Sequence, residues 1–137
     1  MNNRTSSCGC YNSEETSKRF RKPKGEAAFN SLYARYKHGA LKRNFAFELS
    51  EDLFKKLTKQ NCYYCGKEPS QINISRNNEY VYNGIDRVDS SKGYTEDNCI
   101  SCCGLCNQNK MDLPQLDFLS WVGRVYNHSV KGKENND

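Results

Sequence analysis

The chain has no long hydrophobic run. Nothing in its 137 residues approaches the roughly 20 apolar residues of a membrane span, so no membrane partner is expected. The opening residues, Met1-Asn2-Asn3-Arg4-Thr5-Ser6-Ser7, lack the apolar stretch of a secretion signal. These two absences predict an intracellular, reducing location. Apolar residues are also sparse: the mean hydropathy is −0.95. A core this small needs help, and a bound metal is one source of it. The chain does contain eight cysteines. In a reducing compartment cysteine favours metal binding over disulfides.

Four of the eight dominate the pattern. Cys62-Tyr63-Tyr64-Cys65-Gly66 opens a segment that closes with Cys103-Gly104-Leu105-Cys106-Asn107-Gln108-Asn109-Lys110. Two Cys-x-x-Cys pairs offer four thiolates, which suit tetrahedral zinc, and a two-residue gap lets both sulfurs of a pair reach one ion. Gly66 and Gly104 fall where such turns need freedom in φ. Cys62, Cys65, Cys103 and Cys106 are therefore expected to share a structural zinc. The pairs stand 37 residues apart, against about 15–20 in a simple zinc ribbon. That insert is large enough to be a structure of its own. Cys99 and Cys102 are expected to be small buried hydrophobes on a strand, and Cys8-Gly9-Cys10 has too few ligands for zinc.

Charge is uneven. Of the net +5, +4 falls in residues 1–25, where Arg4, Lys18, Arg19, Arg21, Lys22 and Lys24 face only Glu14 and Glu15. That segment lacks periodicity and is expected to be a disordered basic arm suited to a polyanion such as a phosphate backbone.

Residues 26–60 read as a helical part. Phe29, Leu32, Tyr33 and Tyr36 make a core-facing stripe on a helix that His38-Gly39 should stop near residue 40. Phe45 to Leu49 alternates like a short strand. Ser50 should cap a second helix that buries Leu53, Phe54 and Leu57. Residues 61–128 form the cysteine-bounded module. Within it, strands are expected near Ile72–Ser75, Glu79–Tyr82, Gly84–Val88 and Asn98–Cys102, with a turn at Asn77-Asn78. Ile85 and Arg87 should share one strand face and Asp86 the other. A helix from Leu105 to Met111 follows. Asp112 then reads as an N-cap, with Pro114 in the first turn of a last helix whose Leu116, Leu119, Val122 and Tyr126 point inward. Trp121 is expected to pack on the cysteine module, and residues 129–137 to form a flexible tail.

In order along the chain stand Cys62-x-x-Cys65, Ile85-Asp86-Arg87-Val88-Asp89, Lys92-Gly93-Tyr94-Thr95, Asp97-Asn98 and Cys103-x-x-Cys106-Asn107-x-x-Lys110. This set resembles the HNH endonucleases, also called ββα-metal or His-Me finger nucleases, in their four-cysteine form. It is most similar to the small HNH proteins common in bacteriophages. The resemblance implies an α+β fold: a small ββα-metal module on a four-cysteine zinc site, with flanking helices. It further implies metal-dependent DNA cleavage or nicking in a cytoplasm, a host's if the chain is phage-encoded. The catalytic metal would be magnesium or manganese, beside the structural zinc.

By the same resemblance, Asp86 matches the first-strand acid and Asn107 the helix residue that together hold the catalytic metal. Asn98 matches the middle Asn that supports the hairpin loop. Lys110 would approach phosphate, and Arg87, Lys92, Arg19, Arg21 and Lys22 would also contact nucleic acid. Arg87 departs from the family: it stands where a histidine should act as general base, and arginine does not shed its proton near neutrality. Asp89, His38, Tyr94 or a metal-bound hydroxide remain as proton acceptors. Plainer readings stand beside these. Asp86 and Asp89 would then cap turns, Asn107 would cap the last helix, and Arg87 would be a surface ion-pair partner. As a whole, a catalytically impaired zinc-stabilised nucleic-acid-binding module is the alternative to a nuclease. A monomer is expected, without excluding a dimer.

Overall fold

The structure, a computed structural model, describes residues 23–132. The basic cluster with Arg19, Arg21 and Lys22, and the Cys8/Cys10 pair, lie outside the described residues. Two helices come first, α1 (Glu26–Lys42) and α2 (Glu51–Lys59). Two antiparallel hairpins follow: β1 (Gln71–Ser75) with β2 (Asn78–Tyr82), and β3 (Gly84–Arg87) with β4 (Cys99–Cys102). Helix α3 (Gly104–Lys110) follows β4 directly, and α4 (Gln115–Tyr126) runs on into a π-helical turn, Asn127–Lys131. The architecture is the expected small mixture of helices and short antiparallel strands. Among the described residues no helix is long and apolar enough to cross a membrane.

The core is aromatic. Phe29 and Leu32 of α1 are buried against Phe54 and Leu57 of α2, Tyr80 of β2 and Ile85 of β3. Tyr33, Tyr36 and Phe47 each meet the Phe54 ring, at centroid distances of 5.2, 5.2 and 6.4 Å. The α1 stripe is thus core, as its spacing predicts. Ser50 caps α2 by accepting the Leu53 N–H at 3.2 Å. Phe47 pairs with Tyr94 in one isolated parallel bridge instead of a strand.

Several local expectations need correction. His38-Gly39 does not end α1, which runs three residues further, because nothing crowds Gly39 and the following turn closes on Arg43 instead. The β1–β2 turn is Arg76-Asn77, one residue earlier than expected. Both residues take left-handed φ (49° and 60°), as a two-residue hairpin loop demands. Asn98 belongs to a short 3₁₀ turn, Glu96–Asn98, ahead of β4. Pro114 itself occupies the N-cap of α4, so Asp112 does not.

The inward face of α4 is also different. Leu116 is 78% exposed and Leu119, Val122 and Tyr126 are all exposed, while Phe118 alone on this helix is buried. Phe118 meets the ring of Tyr64 at 5.2 Å, edge to face. Trp121 packs on Phe118 and stands one ring away from the cysteine module.

Candidate functional site

The cysteines come together through two turns. After Cys62 and Cys65 the chain reverses at Gly66, whose φ of +73° is left-handed, and the Gly66 N–H returns to the Cys62 carbonyl at 2.9 Å. Cys103 opens α3, its sulfur accepting from the Cys106 N–H at 3.5 Å. Gly104 does not have a positive φ. What a side chain there would meet is the amide end of Gln71, at 2.6 Å. The Sγ atoms of Cys62, Cys65, Cys103 and Cys106 all lie within 4.8 Å of one another, and Cys65 and Cys103 are 3.7 Å apart. Sulfurs at 2.3 Å from a tetrahedral ion would stand about 3.8 Å apart. The cluster therefore has the size and donor set of a metal site.

Its electrostatics agree. Burial raises the Cys62 thiol, but N–H groups of Cys103, Cys65 and Tyr64 outweigh it and bring Cys62 down to about 6. Burial and then the neighbouring thiols push Cys106 upward. One thiolate is favoured and further negative charge is resisted, a balance that a divalent cation would relieve. Cys99 and Cys102 are different. Both are buried thiols, Cys99 raised to about 12 chiefly by burial, and neither belongs to the four-sulfur cluster.

Strand alternation decides what β3 presents. Ile85 enters the aromatic core. Arg87 stacks its guanidinium 4.0 Å over the Phe45 ring and 5.3 Å from Tyr94, and donates to the Lys92 carbonyl at 2.7 Å. These are a cation–π and a backbone contact, and among the described residues Arg87 makes no surface ion pair of the kind considered for it. Asp86 faces the other way, toward the cysteines, and is 4% exposed. Its Oδ2 accepts from the Tyr64 hydroxyl at 2.8 Å. Both its oxygens are met by Lys110 Nζ, at 3.3 and 3.2 Å. Burial and then the bond to Asp86 push the Tyr64 phenol upward, so it stays a donor.

The placement of Lys110 corrects an expectation. Its side chain is fully buried on Asp86, away from any surface where it would approach phosphate. A long side chain starting from the last residue of a short helix can fold back onto the neighbouring strand, and β3 supplies a carboxylate and a carbonyl to receive it. Asn107 lies one turn earlier on the same helical face and is half-buried. It sits inside α3, so it does not cap the last helix.

Asn98 pins the hairpin loop. Its Oδ1 accepts from the Asp89 N–H at 2.9 Å, and its Nδ2 donates to the carbonyls of Asp89 and Gly93 at 3.0 and 2.9 Å. Asp89 in turn accepts from both the N–H and the hydroxyl of Ser91, contacts that hold its carboxyl below the usual range. It caps the loop. Lys92 is 71% exposed and 3.5 Å from Asp89. Among the other proton acceptors considered, Tyr94 is buried and receives a bond from Arg43, and His38 lies exposed on α1. A cleft of about 480 Å³ between α1, α2 and β2 contains none of these residues.

Tyr64 and Phe45 are the site residues that sequence reasoning missed. Tyr64 lay inside the first Cys-x-x-Cys, a place that ties it to whatever the knuckle faces. Phe45 carried no signal.

No family model matches the chain. An uncharacterized protein of Acanthamoeba polyphaga mimivirus is 42% identical over 83 residues, which is 61% of this chain and 14% of that protein. The chain thus spans about one seventh of that viral relative's length. Among solved structures, the rare-cutting HNH restriction endonuclease PacI aligns over 77% of this chain and 81% of its own, with a TM-score of 0.53 and 19% identity. That likeness extends to the fold alone. The fold is HNH-like, and it carries a four-cysteine cluster of the size a metal ion needs.

Proposed function

We propose that this chain is a metal-dependent DNA endonuclease or nickase of the HNH class, hydrolysing phosphodiester bonds. The observation that carries the reading is one juxtaposition. An acid on β3, Asp86, faces the helix bearing Asn107, beside a loop pinned by Asn98, in a fold like that of an HNH restriction endonuclease. Cys62, Cys65, Cys103 and Cys106 would hold a structural zinc. Asp86 and Asn107 are hard oxygen donors, the kind that suit magnesium or manganese. Bound there, such an ion would supply charge stabilisation at phosphate.

The chain's own residues do the rest. The Asn98 bonds fix the loop that carries Lys92, an exposed cation placed to meet the backbone of DNA. The cysteine knuckle fixes the start of α3, and so the height of Asn107 above β3. Arg87 braces the loop against Phe45 and Tyr94. The basic cluster with Arg19, Arg21 and Lys22 would add non-specific grip on phosphates. We place this activity inside a cell, with the monomer as the nicking unit.

A second reading has a specific observation behind it. Arg87, which by the resemblance stands where a general-base histidine is expected, is engaged in stacking, which favours a zinc-stabilised nucleic-acid-binding module without catalysis. Plasmid nicking with magnesium or manganese, run beside Asp86→Ala and Asn107→Ala at matched zinc content, separates the two. Cutting by wild type alone is the expected result. Salt-dependent gel shifts with no cutting under any divalent ion would select the binding module.

A further inference from the structure

Asp86 is not waiting for a cation; it has one. Lys110 Nζ is surrounded by three acceptors, Asp86 Oδ1 at 3.3 Å, Asp86 Oδ2 at 3.2 Å and the Arg87 carbonyl at 3.2 Å. The ammonium donates to Asp86 Oδ1 and to the Arg87 carbonyl, and Asp86 Oδ2 completes the ion pair. The Lys110 side chain is completely buried and Asp86 nearly so. Two carboxylate oxygens and one carbonyl oxygen converging on a point are also what a hard metal ion selects. Tyr64 closes the remaining side, donating to Asp86 Oδ2.

We propose that Lys110 is a resident cation of the Asp86 site, competing with the divalent ion for the same oxygens. The inference rests on the nuclease reading for the identity of that ion. Two positive charges cannot share one buried carboxylate without strong repulsion, since little water separates them. A divalent ion must therefore displace the ammonium, which makes Lys110 a positioning residue that sets how tightly the site takes metal. The bond from Tyr64 is compatible with either cation, because it donates to Asp86 and leaves the carboxylate charge in place.

The test measures metal and not cleavage. Zinc-loaded wild type and Lys110→Met, which keeps length and removes charge, are titrated with manganese by calorimetry without nucleic acid. Lys110→Met should bind at least about tenfold more tightly, consistent with losing a close, buried like charge. Asp86→Asn combined with Lys110→Met should lose that gain, because the carboxylate is gone. Equal or weaker binding by folded, zinc-loaded Lys110→Met would overturn the proposal. Should Lys110→Met lose its zinc, the wild type decides alone through the Lys110 ammonium signal in NMR. That signal must shift or broaden as magnesium is added, and saturable binding that leaves it unmoved would overturn the proposal equally. Failure of the nuclease reading looks different: Lys110→Met would gain metal affinity while neither protein cuts DNA.

Discussion

The two halves of this molecule are held together by different means. The first is a knot of aromatic rings: Phe29, Tyr33 and Tyr36 meet Phe54 edge to face, and Phe47 and Tyr94 meet Tyr33 and Tyr36 in the same way, around α1, α2 and the 45–47 segment. The second is a cluster of cysteines on which, among the described residues, Tyr64 packs as the one sizeable apolar group. Apolar burial sustains one, and the other carries four sulfurs that could hold an ion. Strand β3 is the seam between them. Its alternation sends Ile85 and Arg87 to the aromatic side and Asp86 to the cysteine side. The candidate site therefore sits where the aromatic half meets the half built on the four-cysteine cluster. A carboxylate on that seam inherits its position from both.

That contrast can be broken at either end. The largest effect is expected from Cys103→Ser, which removes one sulfur of the candidate metal cluster and the sulfur cap of α3 together. Structural zinc contributes on the order of 10–16 kcal/mol in small zinc modules, as much as the whole stability of a typical domain. Hydrogen exchange should then show protection lost across β3, β4 and α3, with α1 retaining the most. Phe54→Ala strikes the other half. Phe54 is fully buried at the centre of the rings, and the loss should be about 3–5 kcal/mol by urea denaturation. Zinc content should be unchanged under native conditions.

Smaller effects sharpen the picture of the seam. Asn98→Ala leaves one N–H and two carbonyls of the loop without their partner. It should cost about 1–3 kcal/mol, and NMR should show the 89–93 loop mobilised while the cysteine signals stay in place. The smallest change is expected at Leu116, which is the most exposed large apolar residue of α4. Leu116→Ala should alter stability by no more than about 0.5 kcal/mol.

Much of this was readable from residues alone, and the reasons are local. The Ser50 cap depends on a bond three residues away, and the paired cysteines carry their own spacing. The Phe29–Tyr36 stripe follows helical period, and the two-residue alternation along β3 separates Asp86 from Arg87. What could not be read depends on partners distant in sequence. Lys110 and Asp86 are 24 residues apart, and Tyr64 and Asp86 are 22 apart. Nothing in periodicity announces that a lysine will turn inward. The α4 face failed for a related reason. Leu116, Leu119, Val122 and Tyr126 have core-like spacing, yet the surface that α4 rests on offers Tyr64, which selects Phe118. Glycine often stops a helix, but inside the 17-residue α1 Gly39 is merely tolerated.

The most direct measurement of the central claim is a nicking time course on supercoiled DNA with zinc-loaded protein and added magnesium or manganese. Beside the wild type runs Asp86→Asn with Lys110→Met, which removes both charges of the buried pair together and so leaves neither one stranded. The account predicts nicking by wild type that EDTA abolishes, and none by the neutral pair at equal zinc content. Nicking by the neutral pair at the wild-type rate, or a folded, zinc-loaded wild type that never cuts with any divalent ion, would contradict it.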